Sequence, residues 1–385
     1  MMEKFDMTYI TREIECALIN QKSPKAIVVF GPRRSGKTTL LRTLTAGANV
    51  LWFNGDFPED IEALKLNSAS DARMLLSQVE AIVIDEAQRF PDIGLTLKRL
   101  VDCNEVSKKP TKILVSGSSS LDLAKGVKES AVGRLLMRRL WPMSLRELAT
   151  NLSWVALTQS LSERLLYGMY PDVLLNPENA RVTLQDYVDG ILFKDLFSLS
   201  GIRLNARFEH LVYLLASSVG SEVSFESLAK KTGLNKTTVA DYITLLEDCF
   251  IIKVCHSFSR NLANELKKGK KIYFCDNGIR NAILRDFSPI SVRQDSGALW
   301  ENFFFMERIK LHDYRQDFTE VYFWRTTGRS PQEIDFIEKR DAKLEAFECK
   351  LNDKARAALP EAFRESYPGV SLRKVTPRNF AKFFS

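Results

Sequence analysis

Short, uninterrupted apolar runs separated by helical segments mark the first third of the chain. The runs at 27–30 and 81–84 are apolar at every position, which is typical of parallel strands buried on both faces. A third run, KILVSGSSS, ends in hydroxyl side chains. Because such strands alternate with helical patterns, the sequence predicts an α/β domain built on a parallel sheet over residues 1–150.

The middle of the chain changes to helical periodicity. From about residue 145 to residue 203 the apolar positions follow amphipathic helices, which Pro171 and Pro177 interrupt. We therefore expect a helical lid or connector over residues 151–205.

A helix-turn-helix spacing follows within residues 206–290. Ala229, Gly233 and Val239 stand where two closely crossing helices need a small residue, a turn glycine and an apolar residue. The second helix, NKTTVADYITLLEDC, begins with four polar residues, and a β wing is expected from Ile251. The pattern predicts a winged-helix domain that either contacts DNA or only packs on its neighbours.

The last segment, residues 291–385, has the pattern of a helix followed by a strand hairpin. EIDFIEK and KLEAFECKL alternate like strands and are joined by the turn KRDA. Asp335 is a polar residue beside an apolar stripe, whereas Glu348 and Lys350 share one face because they are two positions apart. The preceding helix carries Glu301 among aromatic residues. These side chains are expected to converge in a polar pocket, or else to decorate a surface hairpin.

The loop after the first strand fits the pattern G-x-x-x-x-G-K-[ST] at every fixed position. Glycines let backbone N–H groups crowd around phosphate oxygens, and the helix that follows directs its positive dipole end at them. Lys37 would neutralise the β- and γ-phosphates of ATP, and Thr38 would ligate Mg²⁺. The residues expected to bind the nucleotide are Gly31, Pro32, Arg33, Arg34, Ser35, Gly36, Lys37, Thr38, Thr39, Ser116 and Ser118.

The ends of the next strands supply the other groups that an ATPase needs. Asp85 follows an apolar strand, at the edge where open α/β sheets bind ligands, and is expected to hold Mg²⁺. Glu86 is expected to polarise the attacking water, and Ser116 or Ser118 to sense the γ-phosphate. Arg134 is expected to act as an arginine finger, in this chain or in a neighbouring subunit, or to belong to a solvated basic face.

Composition adds limits but no mechanism. The chain has 385 residues, 45% hydrophobic and 27% charged, and no apolar stretch long enough to span a membrane, so we expect a cytoplasmic protein of several domains without a membrane partner. Six scattered cysteines and three histidines form no zinc pattern, which favours reduced core thiols. The net charge of +7 is compatible with nucleic acid but does not require it.

In this order, GPRRSGKT, VIDEAQ, LVSGSSS, GR and WPMSLREL resemble a prokaryotic AAA+-type P-loop ATPase family whose members carry a nuclease-like C-terminal domain. YGMYPDVLL, YVDGILFKDL and the closing YFWRTTGRSPQEIDF…FECK extend the resemblance over nearly the whole chain. One departure from the family pattern is Lys194, where we expect arginine. Lysine cannot form the two parallel hydrogen bonds that an arginine guanidinium can donate.

The order helix-Glu, strand-Asp, strand-Glu-x-Lys is similar to that of PD-(D/E)xK nucleases. The resemblance implies a restriction-endonuclease-like α/β domain over residues 291–385. In it, Glu301, Asp335 and Glu348 would hold Mg²⁺, and Lys350 would position the nucleophile or offset developing charge. A decayed nuclease fold that only binds is left open.

Two functional hypotheses follow. In the first, a Mg²⁺-dependent ATPase couples ATP binding and hydrolysis to the binding or processing of nucleic acid, DNA rather than RNA, with metal-dependent nuclease activity left open. In the second, a regulatory NTPase switch controls assembly or partner binding, and the end domain is inactive. Both are compatible with a homo-oligomer.

Overall fold

The computed structural model describes residues 9–21, 23–117, 133–190, 206–259, 269–326 and 330–384. The chain divides into two compact units. The N-terminal unit comprises Thr11–Pro142 with Asp248–Phe250, and the C-terminal unit consists mainly of Met143–Glu247 and Ile251–Ser385. Two residues that the sequence analysis names, Ser118 and Lys194, lie outside the described residues.

A five-stranded parallel sheet forms the centre of the described part of the N-terminal unit, with the strand order β2-β3-β4-β1-β5. Every residue of the first and third strands is buried, because helices cover both faces of such a sheet. This confirms the predicted parallel-sheet α/β domain. The strands are β1 Ala26–Phe30, β2 Val50–Asn54, β3 Ala81–Asp85, β4 Lys112–Gly117 and β5 Leu135–Arg139.

The helices of this unit pack their apolar sides on the sheet. Leu97, Leu100 and Val101 of the longest helix join a buried cluster with Ile82 and Ile84 of β3. The helices are α1 Glu15–Ile19, α2 Lys37–Leu44, α3 Pro58–Ala63, α4 Ala69–Gln78 and α5 Ile93–Glu105.

Five short helices open the C-terminal unit, as the helical periodicity predicts. Pro171 occupies the first turn of one helix, and Pro177 begins a 3-10 turn, positions where a missing N–H costs nothing. The helices are α6 Leu145–Ala149, α7 Trp154–Gln159, α8 Leu161–Tyr167, α9 Pro171–Leu175 and α10 Ala180–Tyr187.

Three helices and three short strands come next in the chain, and two of the helices are joined at Gly233. Gly233 ends the first helix of the pair with a φ of 69°, a left-handed conformation that glycine adopts without a Cβ penalty. The elements are α11 Ala206–Ser217, β6 Glu222–Val223, α12 Phe225–Thr232, α13 Lys236–Asp248, β7 Ile252–Ser257 and β8 Lys270–Phe274.

The remaining elements are two helices, three consecutive strands, a short helix and a last strand. They are α14 Asn277–Leu284, α15 Ser296–Arg315, β9 Glu320–Arg325, β10 Glu333–Arg340, β11 Lys343–Cys349, α16 Glu361–Ser366 and β12 Ser371–Val375. Helix α15 packs aromatic side chains on the sheet, where Phe304 contacts both Phe336 and Phe347.

The strands of the C-terminal unit join in one seven-stranded sheet, in the order β12-β11-β10-β9-β7-β8-β6, among the residues described. The sequence analysis places a domain boundary at residue 290. The structure differs, because β7 and β9 from either side of that boundary pair in parallel at His256↔Tyr322. Local periodicity reveals a strand but not its partner, so the shared sheet is not visible in the sequence.

Candidate nucleotide site and carboxylate cluster

The predicted P-loop connects β1 to α2 at the carboxyl edge of the parallel sheet. Gly36 has a φ of 92° and lies just before α2. At Gly31 a Cβ atom would come within 2.1 Å of the Leu140 carbonyl oxygen, so only glycine fits this close backbone approach. The backbone conformation at Gly36 and the close approach of Leu140 to Gly31 therefore account for both glycines of the motif. The other loop residues range from buried to exposed: Pro32 and Ser35 are buried, Arg33 is half-buried, and Arg34 and Thr39 are exposed.

The Lys37 side chain points back into this loop. Its Nζ donates hydrogen bonds to the carbonyl oxygens of Gly31 at 3.0 Å and Pro32 at 2.8 Å. Burial lowers the pKa of Lys37 to about 8, although the carboxylates of Glu86 and Asp85 act in the opposite direction. The ammonium is thus held where the phosphates of a nucleotide would meet the loop.

Three oxygen-bearing side chains from separate elements meet beside Lys37. The Thr38 hydroxyl donates to Asp85 Oδ2 at 2.9 Å, and the Ser116 hydroxyl donates to Asp85 Oδ1. Hard oxygen donors of this kind suit Mg²⁺, so the donor set fits the expected ion, with Thr38 and Asp85 as the residues that would hold it.

Glu86 follows Asp85 in a left-handed conformation, with a φ of 50°. Its backbone N–H lies 3.4 Å from the Ser116 hydroxyl, and its Oε2 accepts a hydrogen bond from the Gln88 amide. The contact with Gln88 orients the carboxylate that is expected to polarise water. The sequence analysis did not identify Gln88, although its place two residues after Glu86 offered a signal.

Arg12 is a second residue that the sequence analysis missed. It is 2% exposed, and its guanidinium donates to the carbonyl oxygens of Ser35 at 2.7 Å and Trp141 at 2.6 Å. Arg12 therefore links the backbone of the P-loop at Ser35 to the backbone at Trp141. No motif surrounds Arg12, and its partners lie 23 and 129 residues away, so the sequence held no signal for this role.

Arg134 lies at the amino ends of the parallel strands, whereas the P-loop lies at their carboxyl ends. Its carbonyl oxygen accepts from Ala26 at the amino end of β1, whereas Gly31 follows the carboxyl end of that strand. Five strand residues separate the two ends by about 16 Å. The guanidinium is bonded to Asp102. An arginine finger acting within its own chain is therefore wrong, and action in a neighbouring subunit stays a prediction.

A carboxylate cluster surrounds a buried lysine in the C-terminal unit. Lys271 of β8 is 1% exposed, and its Nζ lies 3.1 Å from Glu301 Oε1 and 2.5 Å from Glu333 Oε1. The Tyr273 hydroxyl also donates to Glu301 Oε1, at 2.6 Å. Burial alone would lower the pKa of Lys271, but the carboxylates raise it above its ordinary value, so the lysine stays protonated.

Asp335 is close to the same cluster. The pairing of β10 with β9 shifts between Ile334 and Ile337, and Asp335 lies within this irregularity. Its Oδ2 accepts from the Cys349 N–H at 2.6 Å. Burial, with the charges of Glu301 and Glu348, raises the pKa of Asp335 well above its ordinary value.

Glu348 and Lys350 form their own pair at the end of β11, with Lys350 Nζ 2.5 Å from Glu348 Oε1. Burial alone would lower the pKa of Lys350, but the hydrogen bond to Glu348 and the neighbouring carboxylates raise it. Glu301, Asp335, Glu348 and Lys350 therefore lie close together, because their charges act on the pKa of Asp335 and of Lys350. Each of the four also contacts other groups of the protein.

Each carboxylate of the expected metal shell already contacts a protein group. Among the described residues, no group of three or more histidine, cysteine, aspartate or glutamate side chains is arranged to hold a metal ion. Glu301 instead contacts the Lys271 ammonium and the Tyr273 hydroxyl. The predicted shell of Glu301, Asp335 and Glu348 therefore stays a prediction. Lys271, which was not among the predicted site residues, pairs with Glu301, whereas Lys350 pairs with Glu348.

Three family models match the chain. Residues 23–149 match a family described as AAA domain. Residues 158–289 and 296–379 match two families described as domains of unknown function, DUF8612 and DUF4143. With the geometry of the P-loop, the first match supports an AAA-type P-loop ATPase domain that binds ATP.

Curated relatives cover most of the chain. An uncharacterised protein of Mycobacterium tuberculosis is 26% identical over 358 residues, which cover 88% of this chain and 76% of that protein. An uncharacterised protein of Methanocaldococcus jannaschii is 23% identical over 392 residues, with coverages of 95% and 83%.

A solved structure is similar in fold. The Walker-type ATPase PABY2304 of Pyrococcus abyssi superposes with a TM-score of 0.50 at 16% identity, covering 72% of this chain and 96% of that one. At this identity the likeness is one of fold. Within the described part of the chain, no helix combines the length and apolarity needed to cross a membrane.

Proposed function

We propose that this protein is a Mg²⁺-dependent ATPase whose nucleotide cycle controls nucleic-acid binding by the C-terminal unit. The observation that carries the first part is the meeting of Thr38, Asp85 and Ser116 beside the buried ammonium of Lys37. These side chains come from α2, β3 and β4, so the sheet holds them in place before any ligand arrives.

The roles of the side chains follow from their chemistry. Lys37 neutralises the β- and γ-phosphates, whose negative charge raises its lowered pKa and keeps it protonated. When bound, Mg²⁺ would act as a Lewis acid on the phosphate oxygens. Glu86, oriented by Gln88, accepts a hydrogen bond from the attacking water and draws its proton away as the phosphate bond breaks.

A patch of exposed cations supports nucleic-acid binding. Lys230 and Lys231 end α12, Lys236 begins α13, and Arg207 Nη1 donates to the Gly233 carbonyl oxygen at 3.0 Å between them. All four side chains are exposed. The element order from α11 to β8, with β6 pairing to β8, supports a winged helix whose α13 would approach DNA.

We further propose that the end domain does not cut nucleic acid by a metal-dependent mechanism. Lys271 supplies a permanent positive charge among the carboxylates where a nuclease would need a metal ion. Of the two hypotheses, this contact favours the one with an inactive nuclease-like domain. Cleavage of DNA or RNA with Mg²⁺ or Mn²⁺, abolished in Asp335→Asn, would contradict this part.

Phosphate release with and without Mg²⁺ tests the ATPase. Thr38→Ala should lose most of the Mg²⁺-dependent turnover because it removes the hydroxyl ligand. Thr43→Ala is the matched control: it removes an exposed hydroxyl from the same helix, bonded only to the Thr39 carbonyl oxygen. Equal turnover in both variants would disprove the role of Thr38.

Fluorescence anisotropy with duplex DNA over a series of salt concentrations tests the cationic patch. Lys236→Ala should reduce the slope of log K against log salt by about 0.9, the value for one phosphate contact. Lys65→Ala removes the same charge from an exposed pair with Glu62 in the other unit and should leave the slope unchanged. If Lys236→Ala and the unchanged protein have indistinguishable slopes, or if no duplex binds at low salt, the proposed role of the patch in DNA binding is wrong.

A further inference from the structure

A groove lies at the turn of the β10–β11 hairpin, at the far end of those strands from Asp335 and Lys350. Its volume is about 760 Å³, and its lining includes Arg315, Arg340 and Lys343. The five residues from Asp335 to Arg340 span about 16 Å along β10. This hairpin groove is therefore a separate place from the carboxylate cluster.

The acidic side chains that line the hairpin groove already have protein partners. Asp317 Oδ2 lies 2.9 Å from His312 Nδ1, and Glu338 accepts two hydrogen bonds of 2.6 Å from Arg308. Glu345 is paired with Arg373 at 2.6 Å. These carboxylates are neutralised and do not repel an anion in the groove.

The exposed charged residues that line the hairpin groove are positive, and one exposed carboxylate, Asp341, adjoins them in the turn between Arg340 and Ala342. Arg315, Arg340 and Lys343 are all exposed. Arg340 makes only a long contact with Asp317, at 3.8 Å, and Arg315 and Lys343 have no ion-pair partner among the described residues. Three cations at one rim, with the carboxylates neutralised below them, attract an extended anion.

A phenylalanine next in sequence to residues that line the hairpin groove has its ring in solvent. Phe318 is 91% exposed and lies between two residues that line the groove, Asp317 and Thr319. Its φ of 55° is a left-handed conformation, which is unfavourable for a bulky side chain. Neither burial nor backbone preference explains an aromatic residue here, so the ring is available to an external partner.

We propose that the hairpin groove binds single-stranded nucleic acid, with phosphates along Arg315, Arg340 and Lys343 and one base stacked on Phe318. Cations that follow a backbone, with an aromatic platform, are the combination that single-strand-binding proteins use. The strand must be single because a base can stack on a protein ring only when its face is free of its neighbours in the duplex.

This inference is independent of the patch around Gly233, which is proposed for duplex DNA. Phosphate release and duplex binding test the proposed function, whereas the hairpin groove is tested with an unpaired oligonucleotide. Failure of either proposal is therefore recognised separately.

The test uses the full chain and a fluorescein-labelled oligothymidylate of 20 nucleotides, followed by anisotropy. Phe318→Leu should weaken binding about 5- to 150-fold, the range for the loss of one stacked base. Phe318→Tyr retains the ring and should bind like the unchanged protein. The urea midpoint should not fall in either variant, because the side chain is exposed.

The cations are tested by salt dependence. Arg315→Ala and Lys343→Ala should each reduce the slope of log K against log salt by about 0.7, the value for single strands. Lys339→Ala is the control, because Lys339 lies on the same hairpin but pairs with Glu320 at 2.8 Å and does not line the groove.

Three outcomes would overturn the proposal. One is unchanged affinity in Phe318→Leu, which would indicate an apolar protein contact in place of base stacking. Another is equal competition by polyglutamate, which would indicate a surface that accepts any polyanion. The third is no binding of the oligonucleotide at low salt.

Discussion

Replacing Lys271 by methionine removes the only charge of that side chain and keeps most of its apolar stem. The ammonium is 1% exposed and lies between Glu301 and Glu333, which are 15% and 32% exposed. In Lys271→Met these two carboxylates lose their shared cation while the burial of the stem is retained. The substitution therefore isolates the electrostatic contribution of the lysine.

The expected magnitude follows from the burial of the partners. Removing one member of a buried ion pair costs about 3–5 kcal/mol, because it leaves an uncompensated buried charge. Glu333 is about a third exposed and can be partly rehydrated, which reduces the cost. We expect Lys271→Met to lower the free energy of unfolding of the C-terminal unit by roughly 2–4 kcal/mol at neutral pH.

The loss should depend on pH with a definite sign. Burial and the charges of Glu301 and Glu348 raise the pKa of Asp335, and Lys271 acts to lower it. A carboxyl group whose pKa is raised by folding contributes less stability as the pH rises from its unfolded pKa through its folded pKa. Without Lys271 the pKa of Asp335 rises further, so the loss should be smaller at about pH 5 than at about pH 8.

Urea unfolding followed by circular dichroism, with hydrogen exchange of peptides covering β8 and β10, measures this loss. Lys339→Met is the control, because Lys339 and Glu320 form a half-exposed pair, and we expect it to cost under about 0.5 kcal/mol. A loss in Lys271→Met as small as the control, or one equal at both pH values, would refute the reasoning.

Four further substitutions separate the roles assigned above. Lys37→Ala should abolish ATP binding in calorimetry, because the loop loses its phosphate-facing cation; binding within a few-fold of the unchanged protein would contradict this. Glu86→Gln should retain ATP binding but lose about 100-fold or more in phosphate release, since an amide cannot take up the proton. Arg12→Ala should weaken ATP binding without changing the nucleotide chemistry, because it removes the hydrogen bond to the Ser35 carbonyl oxygen; unchanged affinity would make Arg12 a structural residue only. Asp335→Asn should raise the urea midpoint at pH 8 more than at pH 4, because the raised pKa makes the ionised form unfavourable in the fold; a lower midpoint at pH 8 would reject that view.

The sequence by itself determined the nucleotide site. Gly31, Lys37 and Thr38 are close neighbours in the chain, and Asp85 ends an apolar strand of the same sheet. The motif prescribes the residue types that the backbone needs: Gly36 has a positive φ, and Gly31 leaves room for the carbonyl oxygen of Leu140. The spacing of the motif is readable in the sequence because its members are neighbours, whereas the approach of the distant Leu140 is not.

Only the tertiary structure showed which side chains contact the carboxylates of the end domain. The sequence placed Glu301, Asp335 and Glu348 in the order of a nuclease, and the structure does bring them close. It also inserts Lys271 from a strand 30 residues before Glu301, through the pairing that unites β8 with the later strands in one sheet.

Arg134 shows the same limit in the N-terminal unit, where its position is set by the register of β5 against β1. Sheet register and side-chain partners depend on which distant segments pair in the fold. The free energy that stabilises one pairing over another is spread over many buried contacts. Periodicity indicates where a strand lies but not which residues it contacts, so the contact of Lys271 with Glu301 and Glu333 could be found only in the folded chain.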